Sequence, residues 1–164
     1  MLPDLPRHQS HMTEETPDDV PAGFERLATS SPFIMTIGPF YQQRVADKVI
    51  VGLLVEKHNC NTGGSLHGGM FGALADIAIG NNIALALHTH AGGSAEDLPL
   101  DGPVARLTTV SMSTDFVGTA RVGDWIEAHV DVQKAGRTLA FANAYLMNGD
   151  VRIGRVSAVF RVLQ

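Results

Sequence analysis

From Met70 to Leu87 the chain is apolar almost without interruption, broken only by Asp76, Asn81 and Asn82 and by the glycines Gly72 and Gly80. The run is close to membrane-spanning length, but an acid and two amides inside it argue for a helix buried in a soluble protein. The spacing predicts a long helix that begins around Leu66 to Gly68 and ends near His88. Gly72, Ala73, Ala75, Ala78, Gly80, Ala84 and Ala86 make it a narrow cylinder that another surface can approach closely. A helical glycine costs about 1 kcal/mol relative to alanine, so Gly72 and Gly80 point to tight packing. Whatever the chain folds into must wrap around this element.

Four strand-like segments are available to do so after the helix: 104–117, 124–133, 138–147 and 151–162. Alternation is clear at Trp125–Asp131, where Ile126, Ala128 and Val130 oppose Glu127, His129 and Asp131. Lys134-Ala135-Gly136-Arg137 and Asn148-Gly149-Asp150 read as hairpin turns, the second with the Asn-Gly pair typical of type I′. Before the helix, 33–38 and 48–56 are rich in branched apolar residues and read as strands. Gly38-Pro39 kinks the first, and Ala46-Asp47 lies in the connection. Asp18 or Asp19 can cap a short helix that buries Phe24 and Leu27, with Pro32 ending it. Two strands, a long helix and a four-strand meander give an α+β arrangement, one antiparallel sheet wrapped around one helix.

With 164 residues the chain is expected to form one domain over 21–164, after a flexible, polar and proline-rich extension over 1–20. That extension has no apolar core of the kind a signal peptide carries, and Cys60 is the sole cysteine, so a cytoplasmic location is expected. Net charge is −5 and mean hydropathy +0.07. No basic stripe suits nucleic acid, so neither a nucleic-acid nor a membrane partner is expected. The slightly apolar composition leaves room for a subunit interface. Residues 89–103 are a loop of turn chemistry, long enough for a lid or an edge.

The chemistry is concentrated just upstream of and inside the helix, in His58-Asn59-Cys60-Asn61-Thr62-Gly63-Gly64-Ser65-Leu66-His67-Gly68-Gly69 and Asp76. Gly68 and Gly69 at a helix start direct N–H groups and the positive end of the dipole towards an oxyanion, or else form a plain turn. Asp76, about two turns and roughly 12 Å further along, is set among Leu74, Ala75, Ile77 and Ala78. There it either serves catalysis or caps a neighbouring backbone group. Asn61 can orient a carbonyl or a water, or form an Asx-turn. His67 can contact substrate or fix the loop by a hydrogen bond. Cys60 lacks the His/Asn partners of a thiol hydrolase. His58, Cys60, His88 and His90 match no zinc spacing, so no metal is expected.

Asn61-x-x-Gly64-x-x-His67-Gly68-Gly69 followed by Leu74-Ala75-Asp76 resembles the signature of hotdog-fold acyl-CoA thioesterases, of the phenylacetic-acid-degradation and thioesterase-superfamily-member type. The similarity continues through Gly123-Asp124 and Gly136-Arg137-Thr138-Leu139-Ala140-Phe141 and covers roughly 33–163. It implies a hotdog fold and a homodimer joined edge to edge, often doubled into a homotetramer, with active sites at the interface. It implies hydrolysis of an acyl- or aryl-acyl-CoA, with coenzyme A as part of the substrate and no separate cofactor. The Gly68 N–H would polarise the thioester carbonyl, and Asn61 would hold the loop or the attacking water. Asp76 of the other subunit would act as base or nucleophile. A hydroxyl on the strand after the helix would place the water: counting back from Gly123-Asp124 gives Thr109, with Thr108 the alternative. His67 joins this catalytic group. Gly69, Lys134, Gly136 and Arg137 are the expected substrate-binding residues, since guanidinium pairs well with the phosphates of coenzyme A. The 89–103 loop is longer than the family's usual one.

Two other functions fit the same fold. A hydratase or dehydratase would carry Asn/Asp-Pro-x-x-His or His-Phe-Pro-Gly loops, which are absent here. A non-catalytic acyl-CoA binder or ligand sensor would bind without releasing thiol.

Overall fold

A computed structural model describes residues 17–98 and 107–163. Seven strands form one antiparallel sheet: β1 (Glu25–Arg26), β2 (Tyr41–Val45), β3 (Lys48–Leu54), β4 (Leu107–Phe116), β5 (Trp125–Ala135), β6 (Leu139–Asn148) and β7 (Val151–Val162). A short helix, α1 (Pro32–Ile37), precedes β2, and the long helix α2 (Gly68–His90) packs against one face of the sheet. This is the expected α+β arrangement, with α2 running one turn's fraction beyond His88.

The core lies between α2 and the sheet. Leu74, Ala75, Ala78, Ile79 and Ile83 are fully buried against Val51 and Leu53 of β3, Ile126 and Ala128 of β5, and Val156 of β7. In β6 the inward positions are Ala140, Ala142, Ala144 and Leu146, and the three alanines are small enough for the helix to sit close. Each large side chain buried this way contributes about 1.5–3 kcal/mol. The polar interruption at Asn82 is also structural. Its Oδ1 accepts from Val49 N–H at 3.0 Å, and its Nδ2 donates to Val49 C=O at 2.7 Å and Ala78 C=O at 2.8 Å. The ladder from β3 to β5 starts only at Val51, so Asn82 satisfies Val49 where that ladder has stopped. The expected tight packing is found at Gly72, where an added Cβ would lie 3.3 Å from Met112 Cε. Gly80 has ordinary room, 4.0 Å from Phe160.

The opposite face carries a second, smaller cluster of Val20, Phe24, Tyr41 and Trp125. Phe24 meets Trp125 edge-on at 4.9 Å. The indole lies across Gly52, whose missing Cβ leaves the space; any side chain there would collide with the ring.

Several expectations are corrected. Residues 33–38 are not a strand: Pro32 starts α1 instead of ending an element, Thr36 Oγ1 donates to Pro32 C=O at 2.8 Å, and Gly38 N–H closes the turn on Ile34 C=O. Ile34 and Ile37 pack inward while Phe33 and Met35 point out, so the apolar run was too short for its period to separate helix from strand. The helix expected near Asp18 is absent; turns lead into β1, and Phe24 is buried while Leu27 is only half-buried. β2, with polar Gln42, Gln43 and Arg44, was not expected as a strand. The final four strands are not a simple meander, because β4 pairs with β7 and not with β5. Among the described residues that leaves β4 at a free edge of the sheet. The β6–β7 turn has positive φ at Gly149 alone, whereas type I′ needs two such residues. Of the 89–103 loop, Ala95–Asp97 form a 3₁₀ turn, while 99–103 lie outside the described residues, as do 1–16 of the expected extension and 104–106 of the expected strand.

Candidate active site

The start of α2 is fixed from both sides of His67. The N-cap His67 accepts from Gly69 N–H through Nδ1 at 2.9 Å, and its carbonyl accepts from Met70 N–H at 2.9 Å. Its own N–H donates to Asn59 C=O at 2.9 Å. A helix leaves its first N–H groups without intrahelical partners. With those of Gly69 and Met70 taken, Gly68 N–H is left without a partner among the described residues, on an exposed glycine at the positive end of the dipole. The His67 side chain thus caps the first turn of α2, while its backbone N–H ties the helix start to Asn59.

Asn61 forms the Asx-turn. Its Oδ1 accepts from Gly63 N–H at 2.8 Å and Ser65 N–H at 3.3 Å, and its backbone N–H donates to Ser65 C=O. Gly64, at φ 76°, supplies the left-handed step that this loop requires. A bridge between Ser65 and Arg121 ties the loop to the segment before β5.

Asp76 is half-buried on α2, and its partner is a side chain: Thr109 Oγ1 donates to Asp76 Oδ1 at 2.6 Å. Thr109 is exposed on β4. A register shift between Thr109 and Ser111 explains why this threonine and not Thr108 faces the acid. Met112 packs on Gly72 and Phe116 on Gly68, so even-numbered positions there face the helix. In an unbroken strand Thr109 would point the other way; the bulge at Val110 resets the alternation.

Within one chain these groups are not all together. Gly68 and Asp76 are eight residues apart on one helix, about 12 Å along its axis. The hairpin carrying Lys134, Gly136 and Arg137 is level with Thr109, through the row Ala135–Ala140–Phe160–Thr109. It lies three strands across the sheet, roughly 14 Å away. Lys134 and Arg137 are exposed, and Gly136 N–H closes the turn on Leu139 C=O.

Two contributors were missed from sequence. Phe116, 56% exposed, places its ring beside Gly68, where an added Cβ would lie 3.3 Å from Cζ, and it stacks edge-on against Phe71 at 5.1 Å. A single aromatic near a strand end carries no signal of that contact. Asn59 is buried beneath the loop; its pairing with Glu56 in a capping box was the available sign. Among the described residues no three His, Cys, Asp or Glu side chains are grouped to hold a metal.

One antiparallel sheet around a central helix, with a glycine-rich turn at the helix start and an acid inside it, defines a hotdog thioesterase-type protein. Residues 63–155 match the model of the Thioesterase superfamily, and the chain belongs to that family. It is 36% identical over 145 residues to a Pseudomonas aeruginosa protein whose name proposes an esterase, covering 88% of this chain and 98% of that one. The solved structure of zebrafish thioesterase superfamily member 2 is similar at TM-score 0.63 and 26% identity, over 82% of this chain and 89% of that one. A Streptococcus pneumoniae thioesterase-type protein, solved with coenzyme A, shares the fold at TM-score 0.59 and 16% identity, over 85% and 94% of the two chains.

Proposed function

We propose that this protein is an acyl-CoA thioesterase, hydrolysing an acyl- or aryl-acyl-CoA to the free acid and coenzyme A. The observation that carries the reading is the pair Asp76–Thr109: an acid inside an apolar helix, bonded to a hydroxyl on an exposed edge strand, in a chain whose Gly68 N–H has no partner among the described residues. Water attacks the thioester carbonyl, with Asp76 taking its proton or Asp76 itself attacking first. Thr109 orients the carboxylate, and Gly68 N–H stabilises the oxyanion. Asn61 and His67 hold the loop that presents that N–H.

The separation of Gly68 from its own Asp76 favours a site built from two chains. Among the described residues β4 has one edge free, with Val110 and Met112 exposed on the strand, and an unpaired edge is a ready template for a second copy. The reading is therefore a homodimer joined through β4, with a dimer of dimers as the larger assembly. Coenzyme A in the streptococcal relative supports the choice of thioester, and Lys134 and Arg137 are the cations proposed for its phosphates.

Release of free thiol from a panel of aliphatic and aryl acyl-CoAs tests the reading. Turnover on at least one class is expected. Saturable binding without thiol release would replace the enzyme with an acyl-CoA sensor.

A further inference from the structure

Asn59 is 1% exposed, yet all four of its polar atoms are bonded. Its Oδ1 accepts from Glu56 N–H at 2.8 Å, and its Nδ2 donates to Ile37 C=O at 2.9 Å. Its backbone N–H donates to Glu56 C=O at 3.0 Å, and its C=O accepts from His67 N–H at 2.9 Å. One buried amide thus joins the last residue of α1, the segment leaving β3 and the N-cap of α2.

We infer that Asn59 is the positioning residue for the Gly68 N–H, an inference that rests on the thioesterase reading. A trans peptide points its carbonyl and its N–H in opposite directions. The carbonyl of the His67–Gly68 unit is held by Met70 N–H, so its N–H faces away from the helix. Where that unit sits depends on His67, whose own N–H is held by Asn59 C=O, next to Leu66, whose N–H donates to Ala120 C=O at 2.8 Å. The 3₁₀ turn Lys57–Asn59 carries the Asn59 carbonyl, and the Asn59 side chain pins the turn to α1 and β3. Losing either side-chain bond leaves a buried polar group unpaired and lets the turn move. A displacement of about 1 Å at an oxyanion donor costs up to about a hundredfold in rate.

Asn59→Asp tests this, because it keeps the acceptor for Glu56 N–H and replaces the donor to Ile37 C=O with a second acceptor. Asn59→Ser is the milder companion. Each is measured for kcat and KM on the best acyl-CoA of the panel, and for amide hydrogen exchange in the peptide spanning 57–70. The expected result is a kcat reduced about ten- to a hundredfold with KM within about twofold, and faster exchange confined to 57–70. Unchanged kcat in a folded variant overturns the inference, as does loss of the fold in both variants, which would make Asn59 a core residue only. If the wild type releases no thiol, the thioesterase reading fails by itself. Exchange then decides alone: acceleration at 57–70 keeps Asn59 as the anchor of the helix start, and unchanged exchange removes it.

Discussion

Thr109 donates its hydroxyl proton to Asp76 Oδ1 across 2.6 Å, joining the free edge strand to the central helix. A hydrogen bond to a charged group of this kind contributes about 1.5–3 kcal/mol. Asp76 Oδ2 accepts no hydrogen bond among the described residues. Asp76→Asn keeps the shape of the side chain and removes its basicity, so kcat is expected to fall about 10²–10⁴-fold with circular dichroism unchanged. Near wild-type turnover in that variant would take Asp76 out of the chemistry.

Thr109→Val removes the hydroxyl at nearly constant volume. The expected loss is about ten- to a hundredfold in kcat, restored towards wild type by Thr109→Ser. Thr108→Val should leave kcat within about twofold, because the bulge at Val110 directs Thr108 away from the acid. Equal losses at both positions would mean that strand packing, not the hydroxyl, is responsible.

That bulge marks where the sequence stopped being informative. The long helix, the three hairpin-linked strands and the glycine-rich helix start were legible because each has a local signature: a sustained apolar run, alternation, or glycines before a helix. Thr109 was reached by counting along a resemblance, since no local pattern reveals an extra residue in an edge strand. α1 was misread because Phe33 to Ile37, apolar except for Thr36, is too short for its period to separate helix from strand, and the bonds that decide the matter are made at Pro32 and Gly38. β2 was hidden by Gln42, Gln43 and Arg44. The place of β4 beside β7 depends on a long-range pairing that no local spacing encodes.

Asn82 is a polar residue whose loss should be felt in stability. Asn82→Ala leaves Val49 N–H and C=O buried without partners, an expected cost of about 2–4 kcal/mol. Asn82→Asp should cost more, because it turns an acceptor towards two carbonyls. Urea unfolding at one fixed protein concentration measures both, the fixed concentration removing any contribution from subunit association. An alanine variant as stable as wild type would show that β3 does not need the strap.

Burial raises the Tyr41 phenol above its ordinary value, with Arg26 acting against the shift and Glu56 adding to it. The neutral form is therefore favoured in the folded state, and the stability it brings is complete below the unfolded pKa of about 10. It is lost as pH rises beyond that value, because the unfolded chain then releases the proton more readily. Between pH 9 and 11 the wild type should lose more thermal stability than Tyr41→Phe. Parallel losses would mean that Tyr41 is not a source of the alkaline sensitivity.

Gly68 offers a clean deletion of the proposed oxyanion donor. Proline is accepted at the first position of a helix, where its missing N–H breaks no intrahelical bond, and it requires an extended residue before it. His67 is extended, at φ −66° and ψ 137°. Gly68→Pro should therefore fold, with the Phe116 ring yielding slightly, and should lose about 10²–10³ in kcat. Mixing then decides whether the site spans two chains. In a dimer of one Gly68→Pro chain and one Asp76→Asn chain, the intact Gly68 of one faces the intact Asp76 of the other at one of the two sites. Co-refolded equal amounts should recover about a quarter of wild-type activity, half of the dimers being mixed and each holding one good site. A site contained within one chain would give no recovery, since every chain in the mixture lacks one of the two groups.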